Sequence, residues 1–146
     1  MTMYRAICHD VFTGAGGGNL VFKTGMLPSP GENEVQVHFI ASPINMQDEL
    51  VYKQLYPTKP KYFMQDDTSL GKENDSVQYP IMGYDGVASV TSCGSNVTAL
   101  RPGDLVIPRV PGLGTWRSDA NVSENEVIKI PNDIDPYFGC VVRMVY

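Results

Sequence analysis

Short runs rich in Val and Ile, each cut off by glycine or proline, recur along this chain: VQVHFIA at 35–41, LVIPRV at 105–110 and EVIKI at 126–130. Gly (14) and Pro (11) are frequent enough that few stretches could sustain a long helix, and short apolar runs between such breakers read as strands and tight turns. The expected fold class is therefore mainly β, a small and partly open β-barrel with one or two short helices.

The individual segments can be assigned on the same basis. YRAICHDV (4–11) and NLVFK (19–23) read as two strands of a hairpin joined by the glycine-rich stretch 14–19. That stretch has the look of a phosphate loop, but a strand follows it rather than a helix, and Asn19 holds the place of the third glycine. It reads as a plain turn. In VQVHFIA, Val35, Val37 and Phe39 alternate with Gln36 and His38, as in a half-buried strand. Asn45 is a suitable cap for a helix over 45–55, with Met46, Leu50, Val51 and Leu55 near helical spacing. Residues 59–78 are polar and read as a long, exposed, mobile loop. A strand interrupted by glycines follows from Pro80, then strands over 105–110 and 126–130, with Asp104 placed to satisfy the amides of the turn before it.

A chain of 146 residues has room for one domain of ordinary size. The expected division is a domain over 1–134, with the polar insert 59–78, and a tail over 135–146. A net charge of −5 without a basic cluster argues against nucleic acid, and no window is apolar for long enough to suggest a membrane-spanning helix. Cys8, Cys93 and Cys140 form no CxxC pair and read as reduced, buried thiols. His9 and His38 stand in strands without a second ligand at useful spacing, so no metal site is expected. The amino terminus carries neither a secretory signal nor a transit peptide pattern.

Several motifs occur in a set order: SPINMQDEL, LYPTKP, GYDGVASV, GSNVTALRPGDLVIP and PGLGTWRSDANVSENEVIKIP. Over residues 4–134 this series resembles the amino-terminal GroES-like domain of medium-chain dehydrogenase/reductases. LYPTKP and PGLGTWRSDA are most similar to the 2-enoyl thioester reductases of mitochondrial fatty acid synthesis, and the insert to their fungal branch. The resemblance implies a zinc-free domain, because zinc-dependent members keep a Cys within the stretch that here reads Pro43-Ile44-Asn45 and a His where this chain has Tyr84. It implies NADPH as cofactor, held almost wholly by a Rossmann domain for which 135–146 is too short, so that this chain alone is expected to bind NADPH poorly and to lack turnover. Implied partners are an enoyl thioester of coenzyme A or acyl carrier protein; a homo- or heterodimer is left open. The implied location is mitochondrial, with the cytoplasm left open by the amino terminus.

The same resemblance assigns catalytic roles. Tyr56, in LYPTKP eleven positions after Asn45, matches the proton donor, and Asn45 matches the asparagine that positions substrate or nicotinamide. A phenol suits proton donation because it stays protonated at neutral pH. Tyr52, one turn earlier, is the rival donor. Trp116 reads as a plug against a second domain or as a pocket wall, and Arg117 as a lone, solvated arginine. Lys53, Lys59 and Lys61 could meet an anionic carrier. Two other readings stand beside the reductase: an interaction module that pairs with an intact subunit through an apolar patch near Trp116 and Val141-Val142, and a zinc-free quinone reductase relative.

Overall fold

The computed structural model describes residues 1–10, 19–56, 60–63 and 79–142. The first hairpin forms as expected but is shifted along the chain: β1 (Thr2–His9) and β2 (Leu20–Leu27) pair antiparallel from Thr2↔Leu27 to His9↔Leu20. Its inner face, with Tyr4, Ala6 and Cys8 buried, packs on Phe63 and Ile81. Residues 11–18, with most of the glycine-rich stretch, lie outside the described residues.

The central sheet contains β3 (Glu34–Ala41), β6 (Val87–Cys93), β7 (Leu105–Pro108), β8 (Asp119–Ser123) and β9 (Val127–Ile130), in the order β8-β3-β6-β7-β9. β3 pairs on one side with β6 and on the other with β8, both antiparallel. Val35 and Val37 point into the main core with Val90, Val106 and Val122, and burying each such side chain contributes about 1.5–3 kcal/mol. Gln36, expected on the outer face, is buried as well. It accepts from the Thr2 hydroxyl at 2.9 Å and donates to Asn121 Oδ1 at 3.0 Å, tying the hairpin to β3 and β8. Among the described residues the three sheets do not close on one another, and the fold is mainly β and open, as the turn-rich sequence implied.

Three segments depart from the sequence reading. Ile81 forms only an isolated bridge to Cys8, residues 82–86 are irregular, and β6 begins only at Val87. β8 was not expected; its DANVS sequence buries only Ala120 and Val122 and has no run of branched residues. Within the stretch read as a loop, Tyr62–Phe63 (β4) pairs with Tyr79–Pro80 (β5), and Phe63 is buried against Tyr4 with ring centroids 5.2 Å apart. Residues 57–59 and 64–78, on which the mobile-loop expectation rests, lie outside the described residues.

One helix was expected over 45–55; α1 spans Met46–Tyr52. A second, α2 (Pro136–Gly139), starts at Asp135, whose carboxylate accepts the Tyr137 N–H, with proline at its first position. Gly139 lies where a Cβ would come within 2.8 Å of Ile130, and Cys140 joins Val87, Leu105 and Ile107 in a third core cluster. The part of 135–146 that is described therefore packs on the barrel. Asp104 has its expected turn role: it accepts the Arg101 N–H at 3.0 Å and is paired with Lys129.

Candidate active site

Asn45 caps α1 through a capping box, which satisfies two amides that a helix start otherwise leaves open. Its Oδ1 accepts the Asp48 N–H at 3.3 Å, and Asp48 Oδ2 accepts the Asn45 N–H at 2.9 Å. Both side chains also reach across to the GYDG turn at 83–86: Asn45 Nδ2 donates to Asp85 Oδ2 at 3.0 Å, and Asp48 Oδ1 accepts the Tyr84 N–H at 2.9 Å. The Tyr84 hydroxyl lies 3.3 Å from that of Tyr56, the two rings meeting edge-on. Asn45 and Tyr56 thus both connect to the GYDG turn, Asn45 through Asp85 and through Asp48 at the Tyr84 N–H, and Tyr56 at the Tyr84 hydroxyl.

The backbone fixes this arrangement. Gly83 has φ +106°, and a Cβ there would come within 2.3 Å of Thr115 Oγ1 and 2.5 Å of the Trp116 N. The GYDG turn is thus wedged against the GTW segment, with the Thr115 hydroxyl donating to the Asp85 carbonyl at 2.6 Å. α1 stops at Tyr52, short of the expected Leu55. Gln54, at φ +58°, reverses the chain and delivers Tyr56 to Tyr84 as a half-buried side chain.

Asp48 is 2% exposed. Burial pushes its carboxyl above the ordinary range, the N–H groups of Asn45 and Tyr84 pull it back down, and Asp85 raises it further. Tyr52, the rival donor, faces the other way: its ring meets buried His9 edge-on at 5.1 Å, and it lines a cavity of about 160 Å³ with Leu20, Ile44 and Trp116. Burial lowers the His9 pKa. Trp116 also walls a larger cavity of about 350 Å³ with Ile7, Phe39 and Ile40.

Arg117 is not solvated as expected. Its Nη2 donates to the Leu113 carbonyl at 2.8 Å, and burial lowers its pKa to about 10 despite the opposing pull of Tyr4 and Glu126. Ala6 bridges Arg117, which sets it against the first hairpin, and with Trp116 it lines the larger cavity. Lys53 and Lys61 are each engaged by a carboxylate, Glu49 and Glu126; Lys59 lies outside the described residues. His38 is exposed and bonds Asp119 at 2.9 Å. Among the described residues no three His, Cys, Asp or Glu side chains are grouped to hold a metal. Toward a nicotinamide, Asn45 retains one N–H and one lone pair after its bonds to Asp85 and Asp48.

The sequence reading missed Asp48, Asp85 and the part played by Tyr84. The N-x-x-D spacing from Asn45 to Asp48 was the available signal.

The family model for the alcohol dehydrogenase GroES-like domain matches residues 31–132. The mitochondrial enoyl-[acyl-carrier-protein] reductase of Bos taurus is 38% identical over 109 residues, covering 74% of this chain and 25% of its own length. The structure of the Etr1p complex with NADP and crotonyl-CoA superposes with TM-score 0.73 at 28% identity, over 90% of this chain and 34% of that one. The mitochondrial 2-enoyl thioester reductase Etr1p/Etr2p heterodimer from Candida tropicalis gives TM-score 0.75 at 27% identity, over 96% and 40%. The chain spans about a quarter of the length of the curated relatives it matches.

Proposed function

Because this chain belongs to the GroES-like domain family of the alcohol dehydrogenases, we propose that it is the catalytic-domain portion of an NADPH-dependent 2-enoyl thioester reductase, with Tyr56 as proton donor and Asn45 as a positioning residue. The observation that carries this reading is that Asn45, by way of Asp48, and Tyr56 both engage Tyr84 of the GYDG turn, the first at its N–H and the second at its hydroxyl. It supports the pairing of two residues that the sequence motifs singled out separately.

In the reaction proposed, bound NADPH supplies a hydride to the β carbon of the enoyl group. The chain's own residues deal with the charge that results. Negative charge moves onto the thioester oxygen, and the α carbon must be protonated by a group that holds its proton at neutral pH. Tyr56 does this; Asp48 and Asn45 fix the turn that carries its partner Tyr84. Residues 1–134 form the proposed catalytic domain. Coenzyme A or acyl carrier protein thioesters are the proposed substrates, the mitochondrion the proposed location, and a homo- or heterodimer the proposed assembly.

The test is a chimera in which residues 1–134 replace the matching part of the Candida tropicalis enoyl thioester reductase. NADPH-dependent reduction of crotonyl-CoA is expected, falling by about 10²-fold or more with Tyr56→Phe and little with Tyr52→Phe. A folded chimera that reduces crotonyl-CoA equally well with Tyr56→Phe overturns the assignment of Tyr56, and one that binds NADPH and reduces a quinone but not crotonyl-CoA favours quinone reduction, which needs no carbon protonation.

One observation favours the interaction-module reading. Ile44, 84% exposed, stands beside Leu20 and Trp116 at the edge of the two cavities, giving an apolar face of the kind that mediates subunit contact.

A further inference from the structure

The two phenols of the site are not held alike. Tyr84 is pinned at three points: its N–H by the buried Asp48 carboxylate at 2.9 Å, the glycine before it by Thr115 and Trp116, and the residue after it by the Thr115 hydroxyl. Tyr56 follows a left-handed turn at Gln54 and meets Tyr84 edge-on, with 5.8 Å between ring centroids. The backbone that carries Tyr84 is held at these points, and Tyr56 is placed against the Tyr84 hydroxyl.

We propose that Tyr84 is a positioning residue for proton transfer, holding the Tyr56 oxygen and stabilising the phenolate that Tyr56 becomes; this rests on the reading of Tyr56 as proton donor. In the resting pair either hydroxyl can donate across the 3.3 Å separation. When Tyr56 reacts, its O–H bond breaks and the electron pair of the enolate forms the new C–H bond at the α carbon. The negative charge passes to the Tyr56 oxygen, and water later returns its proton. Within the pair, only Tyr84 then has a proton to donate. A hydrogen bond to a charged oxygen is stronger than one between neutral hydroxyls. The contact therefore strengthens as the proton leaves, which is the condition for it to accelerate the step rather than merely bind.

The 146-residue chain itself serves for the test, without cofactor or turnover. An aryl sulfonyl fluoride forms a sulfonate ester at a phenol oxygen, releasing fluoride while the phenol proton goes to buffer. The reaction thus reads the ease with which each tyrosine oxygen takes on negative charge. Labelling at one near-neutral pH, resolved by peptide mass spectrometry, gives the Tyr56 rate relative to exposed Tyr62 and Tyr137.

In Tyr84→Phe, which keeps the ring and the backbone bond to Asp48, that relative rate is expected to fall by about threefold or more. An unchanged rate means that Tyr84 only packs, and a faster one that it only shields Tyr56. Either result overturns the inference and leaves Tyr56 standing as donor. If Tyr56 stays unlabelled in both proteins while Tyr62 and Tyr137 react, its hydroxyl is closed to reagents, and the proton-donor reading falls with the inference.

Discussion

Asp48 shows how much of the candidate site depends on one buried side chain. Its two oxygens accept the N–H groups of Asn45 and Tyr84, so it joins the start of α1 to the GYDG turn. Asp48→Asn keeps one acceptor oxygen and loses the other, leaving a buried N–H without a partner at a cost of about 1–3 kcal/mol. The pH dependence of that cost has a definite sign. The folded pKa of Asp48 is raised above the ordinary 3.8, so folding favours the protonated carboxyl. The corresponding stability is fully present below 3.8 and is lost as pH rises through the folded pKa. The asparagine variant cannot gain it, so the difference between the two proteins in urea unfolding is expected to widen toward acid and to be smallest at neutral pH. A difference that narrows toward acid contradicts the account. Asp48 also marks how far the site was legible in the sequence. The N-x-x-D spacing signals that Asp48 caps α1 with Asn45, but the bond from Asp48 to the Tyr84 N–H spans 36 residues, for which spacing along the chain holds no signal.

Among the elements, the turns set the geometry more firmly than the strands do. Gly83 combines φ +106° with neighbours inside van der Waals contact, while Gly103, at φ +94°, has nothing within 4 Å of the place a Cβ would occupy. The two glycines therefore separate backbone strain from crowding. Gly103→Ala is expected to cost about 1–3 kcal/mol from its backbone angle alone, and Gly83→Ala about 2–5 kcal/mol because Thr115 and Trp116 must also move. Urea unfolding of the two variants gives the comparison, and equal losses contradict the wedge between GYDG and GTW. Strands were legible where branched residues alternate, as in β3, or run together, as in β7 and β9. β8 was not, because it is an edge strand that buries only Ala120 and Val122 and owes its existence to pairing with β3. β4 is two residues long and is held by the burial of Phe63 on Tyr4, a tertiary cause that no local pattern expresses. The α1 start was legible to the residue, since a cap is a local device; its end was not, since Gln54 takes a left-handed angle without being glycine.

At the scale of the whole molecule, charge and helix placement bear on what this chain can bind unaided. A dinucleotide's pyrophosphate is ordinarily met by open N–H groups at a helix start, next to a glycine-rich turn that follows a strand. Among the described residues, α1 and α2 are the two α-helices. At α1 the Asp48 N–H is taken by Asn45, and the first turn carries Asp48 and Glu49, which repel an anion. At α2 the Asp135 carboxylate already occupies the Tyr137 N–H. The net charge of −5 adds a general repulsion. On the proposed reading, Asn45 is the residue that meets the nicotinamide end, and one or two neutral hydrogen bonds, at about 0.5–1.5 kcal/mol each, do not offset the loss of translational and rotational freedom on binding. Calorimetric titration of the 146-residue chain with NADPH is accordingly expected to show no association tighter than about 1 mM. A one-to-one isotherm in the micromolar range requires several kcal/mol from contacts that neither helix start nor Asn45 can supply, and it contradicts the assignment of cofactor binding to protein outside this chain.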